Sequence, residues 1–223
     1  MLRKIFLLLA ILSLSIPGSG AKSRTKAVSP YQYGGRWYIS AQIGPQFLPA
    51  ENIGSYWKYG HGWKIFSPFA GAALGYNIND VWDLRLAGNY GYHVGACDPY
   101  GDFFPFNFKV ASAFVDASVN CNAMGENYDR TTIKAYLGLG AGYTFGFSKV
   151  DHPYQVVEGP NLVPGARFGG IMEFGSPGGF GWFVDLGMEL FTDWYNGLEP
   201  VKFPIDVNMK LSFGIVYHFR GAK

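Results

Sequence analysis

The sequence predicts an all-β fold, a transmembrane eight-stranded antiparallel up-and-down β-barrel. Three observations predict it: long runs of alternating residues, connections that alternate between long and short, and a charge-poor composition without an apolar helix. The longest run is residues 204–219, PIDVNMKLSFGIVYHF. Ile205, Val207, Met209, Leu211, Phe213, Ile215, Tyr217 and Phe219 alternate with Asp206, Asn208, Lys210, Ser212, Gly214, Val216 and His218. Successive side chains of a strand point to opposite faces, so the run has an apolar face and a mostly polar or small one. An ordinary strand has about 5–6 residues, whereas a tilted strand crossing a bilayer needs about 9–11.

Seven further segments carry the same period. In residues 36–47, Trp37, Ile39, Ala41 and Ile43 oppose Tyr38, Ser40 and Gln42. Residues 66–78 repeat the pattern weakly through Ala70, Ala72, Leu74 and Tyr76. Residues 82–93 set Trp82, Leu84, Leu86, Tyr90 and Tyr92 against Asp83, Arg85, Asn89 and His93. Residues 108–121 set Ala111, Ala113, Val115, Ala117 and Val119 against Ser112, Phe114, Asp116, Ser118 and Asn120. In 132–147, Ile133, Ala135, Leu137, Leu139, Ala141, Tyr143 and Phe145 oppose Lys134, Tyr136, Thr144 and three glycines. Residues 164–175 place Phe168, Met172 and Phe174 against Arg167 and Glu173. Residues 181–192 place Trp182, Val184, Leu186, Met188 and Leu190 against Asp185 and Glu189.

The connections set the topology. The long ones are 48–65, 94–107, 148–163 and 193–203; the short ones are 79–81 and 176–180, with 122–131 between the two classes. Outer-membrane barrels have an even strand count, short periplasmic turns and longer external loops. Both termini are therefore expected in the periplasm. A soluble eight-stranded barrel would bury its apolar residues inside and is not expected to show this asymmetry.

Composition agrees. Charged residues make up 15% of the chain and aromatics 18%, against the roughly 25% charge of a usual soluble domain. A net charge of +2 argues against a nucleic-acid partner. Met1–Lys4 is basic and precedes the apolar run Ile5–Leu14, followed by small residues through Ala21. Residues 1–21 are thus expected to be a secretory signal peptide, with an uncleaved anchor as the alternative. Residues 22–35 follow as a short periplasmic segment, 36–219 as the barrel and 220–223 as a tail. Cys97 and Cys121 are expected at opposite ends of one strand, too far apart for a disulfide.

Aromatic residues gather at strand ends. Trp37, Tyr76, Trp82, Phe174, Trp182 and Tyr217 form an expected lipid-facing girdle at the periplasmic interface. Phe47, Tyr90, Tyr92, Tyr143 and Phe145 form its external counterpart. Between them, Leu137, Leu139, Leu186, Leu211 and Phe213 are expected to meet acyl chains.

Eight strands, a signal peptide and a last strand ending Tyr217-His218-Phe219 resemble the small OmpA-like outer-membrane β-barrels. The resemblance spans about residues 36–219. It implies an integral outer-membrane location, outer-membrane lipids and lipopolysaccharide as surroundings, and Tyr217 and Phe219 as the signal read by the barrel-assembly machinery. Two departures bear on this: Arg220–Lys223 follows the terminal aromatic, and peptidoglycan anchoring through a C-terminal globular domain is not expected here.

The inward face carries six acids, Asp83, Asp116, Glu173, Asp185, Glu189 and Asp206, and four bases, Arg85, Lys134, Arg167 and Lys210. Because eight-stranded barrels are about filled by their own side chains, these ten residues are expected to form an interior ion-pair network. A narrow ion-conducting pore is the alternative. The turn near Gly178 sets Phe174 opposite Trp182 and Met172 opposite Val184. The same count sets Arg167 opposite Glu189, which are expected to form an ion pair. Inward glycines are expected either to leave small wet spaces or to accommodate Tyr136, Phe114 and Phe183.

Catalysis is not expected. The four histidines are scattered, and Ser212 and His218 lie three inward steps apart, beyond reach of a nucleophile–base hydrogen bond. His93, Cys97 and Asp98 are a weak metal signal, and no metal or cofactor is predicted. The expected role is structural or surface-interacting: the aromatic external loops either bind a protein, a glycan or lipopolysaccharide, or lie at the lipid headgroup level and pack on each other. These carry Tyr56, Trp57, Tyr59 and Trp63, then Tyr100, Phe103, Phe104 and Phe106, then Trp194 and Tyr195. The alternatives are a narrow porin and an accessory subunit of an outer-membrane transport or secretion complex; a lipid A-modifying enzyme has little support.

Overall fold

The structure, a computed structural model, describes residues 36–48, 66–97, 104–124, 131–148, 160–175, 179–192, 195 and 205–219. The expected signal peptide, the segment before β1, the tail and most loop aromatics lie outside these residues. Eight strands run in order: β1 (Arg36–Phe47), β2 (Ser67–Asn77), β3 (Trp82–Cys97), β4 (Phe104–Asn120), β5 (Thr131–Phe145), β6 (Asn161–Gly175), β7 (Phe180–Thr192) and β8 (Ile205–His218). Each pairs antiparallel with its sequence neighbour, and β1 pairs with β8 to close the barrel. Among the described residues no helix is long and apolar enough to cross a membrane.

The facing of every strand follows the period-two reading. Leu137, Leu139, Leu186, Leu211 and Phe213 all point outward and are exposed, Leu139 by 71%. Inward positions carry polar and charged residues together with glycines and a few aromatic rings, and all ten predicted interior charges are buried. A soluble barrel would show the reverse.

The strand ends explain themselves locally. Asn79 Oδ1 accepts from the amides of Val81 and Trp82, both at 2.8 Å, which closes the β2–β3 turn. Asn120 Oδ1 accepts from the amides of Asn122 and Ala123, starting a single helical turn, α1 (Cys121–Met124). Gly175 ends β6 with φ +151°, where a Cβ would lie 2.6 Å from Gly181 Cα. Only glycine fits that approach.

Two strand boundaries depart from the sequence reading. Residues 94–107 are not a loop throughout: β3 and β4 continue in register as far as Cys97 opposite Phe104. The repeated small and aromatic residues there hide the alternation. β6 likewise begins at Asn161, three residues early, because Pro164 breaks the apparent pattern without breaking the strand.

Both girdles form. At the turn end, Trp37 and Tyr76 ring centroids lie 4.9 Å apart and Phe174 stacks on Trp182 at 4.1 Å. Trp82 is exposed on the same rim, and Tyr217 contacts Phe180 and Phe219. At the loop end, Phe47 meets Phe66 at 5.4 Å, and Phe145 meets both Tyr90 and Tyr143.

Candidate functional site

The lumen is built from the inward half of each strand, and its side chains sort into four layers. Nearest the turns, Lys134 on β5 bridges Asp83 (3.0 Å) and Glu173 (3.7 Å). Tyr38 Oη donates to Asp83 at 3.0 Å, and His218 Nε2 lies 2.6 Å from Glu173. The Lys134 ammonium also sits 5.0 Å from the Tyr38 ring centre.

The middle layer centres on Asp116, which is fully buried. Arg85 Nε donates to it at 2.7 Å, and Arg167 donates through Nε at 2.6 Å and through Nη2. Asp185 adds a second negative charge 3.9 Å from Arg85 and accepts from Tyr136 Oη at 2.9 Å. Both guanidinium groups lie over aromatic faces, Arg85 over Tyr136 and Arg167 over Phe114.

Above it, Lys210 Nζ lies 2.6 Å from Glu189 Oε1, and Asn89 and Asn208 also donate to Glu189. Gln42, Gln46 and Ser212 extend the network towards β1. Nearest the loops the interior turns apolar. Phe106, Phe108, Val110, Phe114, Val163, Phe191 and Tyr195 form one buried cluster with Leu48. Phe191 and Tyr195 stack at 4.1 Å, and Tyr195 Oη lies 3.0 Å from His93 Nε2. Burial pushes the Tyr195 phenol well above its ordinary pKa, so it stays protonated.

Ion pairs thus join Asp83, Arg85, Asp116, Lys134, Arg167, Glu173, Asp185, Glu189 and Lys210, but one pair is not the expected one. Arg167 does stand opposite Glu189 in register, with Phe174 opposite Trp182 and Met172 opposite Val184. Yet Arg167 bonds to Asp116, and Glu189 bonds to Lys210. The cause is Gly138. Asp116 pairs with Gly138 on β5, and Gly138 pairs with Arg167 on β6, so the three lie on one level. A Cβ at Gly138 would stand 2.1 Å from Asp116 Oδ1. Its absence opens a path across the strand, and the long guanidinium takes it.

Asp206 is buried in the loop-side half of the lumen. Phe106, read from the sequence as an external loop residue, is instead an inward strand residue of the apolar cluster. Phe108 and Phe191 join it; both occupy inward positions of the alternation, which is the signal that would have found the cluster. Ser212 bonds to Gln42, and His218 to Glu173. Among the described residues no group of three acid, histidine or cysteine side chains is placed to hold a metal, but Asp98 and the Cys97 side chain lie outside them. Cys121 is a free, exposed thiol at the turn end.

Two interior cavities, one beside Tyr136, Arg167 and Glu189 and one beside Asp83 and Lys134, measure about 10 Å³ each. Each has room for about one water molecule.

No family model and no curated protein matches the chain. Among solved structures it is similar to Neisserial surface protein A, at 16% identity over 82% of this chain and 97% of that one, with a TM-score of 0.47. It is similar to Ail, the attachment invasion locus protein of Yersinia pestis, at 14% identity over 83% and 99%, TM-score 0.44. It is also similar to the outer membrane protein OprG from Pseudomonas aeruginosa, at 9% identity over 86% and 99%, TM-score 0.49. What the chain itself establishes is a closed antiparallel barrel of eight strands with an apolar exterior and a charged, filled interior.

Proposed function

We propose that this chain is an integral barrel of the bacterial outer membrane, exported by its N-terminal signal and inserted by the barrel-assembly machinery. Its lumen is closed to ions, it performs no catalysis, and its role is structural or surface-interacting through the external loops. The observation that carries the reading is the pairing of an exposed apolar belt, bounded by two aromatic girdles, with a lumen packed from turn end to loop end. Water-filled porins have 16 or more strands, whereas eight leave an interior that side chains fill. Among the described residues that filling is ionic at the turn end and aromatic at the loop end, and the two interior cavities hold about 10 Å³ each.

The test is electrical. Refolded protein inserted into planar bilayers is expected to give no discrete conductance steps across a wide voltage range. Steady steps that persist in 1 M salt would overturn the closed reading and favour a narrow porin. A chain that stays monomeric and soluble without detergent would overturn the membrane assignment altogether.

A further inference from the structure

The cavity beside Tyr136, Arg167 and Glu189 is lined by more chemistry than an ion pair uses. Four side chains from four strands meet at it: Gln42 on β1, Asn89 on β3, Glu189 on β7 and Lys210 on β8. Asn89, Glu189 and Lys210 are buried. Gln42, Gly71 and Asn89 form one row across β1, β2 and β3. With glycine in the middle, Gln42 Nε2 reaches Asn89 Oδ1 at 3.2 Å. Lys210 stands opposite Gly187, and its ammonium lies 4.9 Å from the Phe69 ring centre.

A single carboxylate oxygen joins the set. Glu189 Oε1 lies 2.6 Å from Lys210 Nζ and accepts from Asn89 Nδ2 at 3.4 Å. Lysine becomes a nucleophile once it sheds a proton, and a carboxylate in contact is the group to take it. An amide carbon barely reacts with a free amine in water. Held in one place, such a pair gains an effective concentration of about 10⁵–10⁸ M. Gln42 Nε2 donates to the amide oxygen, where negative charge builds when the carbon is attacked. Asn208 also touches Glu189, at 3.0 Å, but its Oδ1 has no hydrogen-bond partner among the described residues to steady that charge. Asn89 is therefore the better-placed electrophile.

We propose that Lys210 and Asn89 join through an isopeptide bond across the lumen, formed once in the closed barrel with Glu189 as proton carrier. Lys210 Nζ passes a proton to Glu189 and attacks Asn89 Cγ with its lone pair. The carbonyl electrons move onto Oδ1, held there by Gln42. Glu189 gives its proton to Nδ2, takes a second one from Nζ and passes that on as well. The carbonyl then re-forms and the Cγ–Nδ2 bond breaks. One Nζ–Cγ bond is made, one Cγ–Nδ2 bond is lost, and the nitrogen leaves as ammonium. No oxidation, reduction or further reactant is involved. The void of about 10 Å³ beside these groups has room for a departing molecule of that size.

The bond ties β3 to β8, which are not neighbours in the sheet. It encloses residues 89–210 in a covalent loop, and closing a loop of that length restricts the unfolded chain more than a short one does. A lumen filled by side chains thereby becomes a lumen stapled shut. The reaction depends on the packing of the interior and not on the solvent around the belt.

The experiment is peptide mapping by mass spectrometry of the whole protein purified from membranes, denatured and digested. Wild type is expected to yield a branched peptide that joins the segments of Asn89 and Lys210 and is lighter by one ammonia than the two together. Lys210→Arg, which keeps the charge, and Glu189→Gln are each expected to lose it. On a denaturing gel after boiling, wild type is expected to migrate ahead of Lys210→Arg, because its loop stays closed. Heat-modifiable migration before boiling confirms that each variant is folded. Should Glu189→Gln fail to fold, wild type and Lys210→Arg still decide. Separate Asn89 and Lys210 peptides of unaltered mass in wild type would overturn the bond. So would an ammonia loss confined to the Asn89 peptide, as a succinimide gives, or a branched peptide that persists in Lys210→Arg. A full yield of the branched peptide from folded Glu189→Gln would overturn the proton-carrier mechanism.

Discussion

Asp116 accepts from two guanidinium groups at the centre of the lumen, where it is fully buried. Removing one member of a buried ion pair leaves an uncompensated charge, at a cost of about 3–5 kcal/mol. Asp116→Asn is expected in that range, because it strands Arg85 and Arg167 together and only Asp185 remains near Arg85. A double-mutant cycle separates contact from register. Arg167→Gln with Asp116→Asn is expected to show a coupling energy of roughly 1–3 kcal/mol. Arg167→Gln with Glu189→Gln is expected to couple more weakly, because these side chains stand opposite each other but bond elsewhere. Denaturant unfolding in detergent reads both. A stronger coupling for the Arg167–Glu189 pair would return the partnership that register alone predicts.

At the scale of elements, facing and register were legible and cross-lumen partners were not. Period two determines which side chains enter the lumen, and the tight β6–β7 connection fixes which residues stand opposite. Neither says how far a side chain travels once inside. The structure supplies the missing rule four times. Tyr38 crosses Gly75 to reach Asp83, Gln42 crosses Gly71 to reach Asn89, and Tyr136 crosses Gly169 to reach Asp185. Arg167 and Asp116 meet over Gly138 in the same way. Each time a long inward side chain bonds to the strand two away, over an inward glycine on the strand between. The glycines were visible in the sequence; their meaning needed the register of all three strands.

The β4–β5 connection offers a separate check on orientation. Cys121 is exposed in α1 at the turn end, whereas the backbone of Cys97 ends β3 at the other rim. In a Cys97→Ser background, a membrane-impermeant maleimide is expected to leave Cys121 unlabelled on intact cells. Labelling should follow once the outer membrane is permeabilised. Labelling of intact cells would invert the barrel.

For the whole molecule, the decisive question is what solvent surrounds the belt, and depth answers it better than any single substitution. Leu137 projects outward near the middle of β5 and is 64% exposed. Ile133 projects from the same face of the same strand but stands opposite Met172, one outward step from the turn-end girdle residue Phe174. In water the two sites are equivalent, and arginine at either is close to neutral, since it replaces an exposed apolar side chain. In a bilayer they are not. Arginine at the midplane costs about 2–4 kcal/mol, falling to about 0–1 kcal/mol near the interface where the side chain reaches headgroups. Leu137→Arg is therefore expected to lose several times more stability than Ile133→Arg when each is unfolded from lipid vesicles by denaturant. Lengthening the lipid acyl chains should deepen the Leu137→Arg penalty more than the Ile133→Arg one, because only the midplane site moves farther from water. Equal costs at the two sites, insensitive to acyl length, would mean that the apolar belt does not face hydrocarbon.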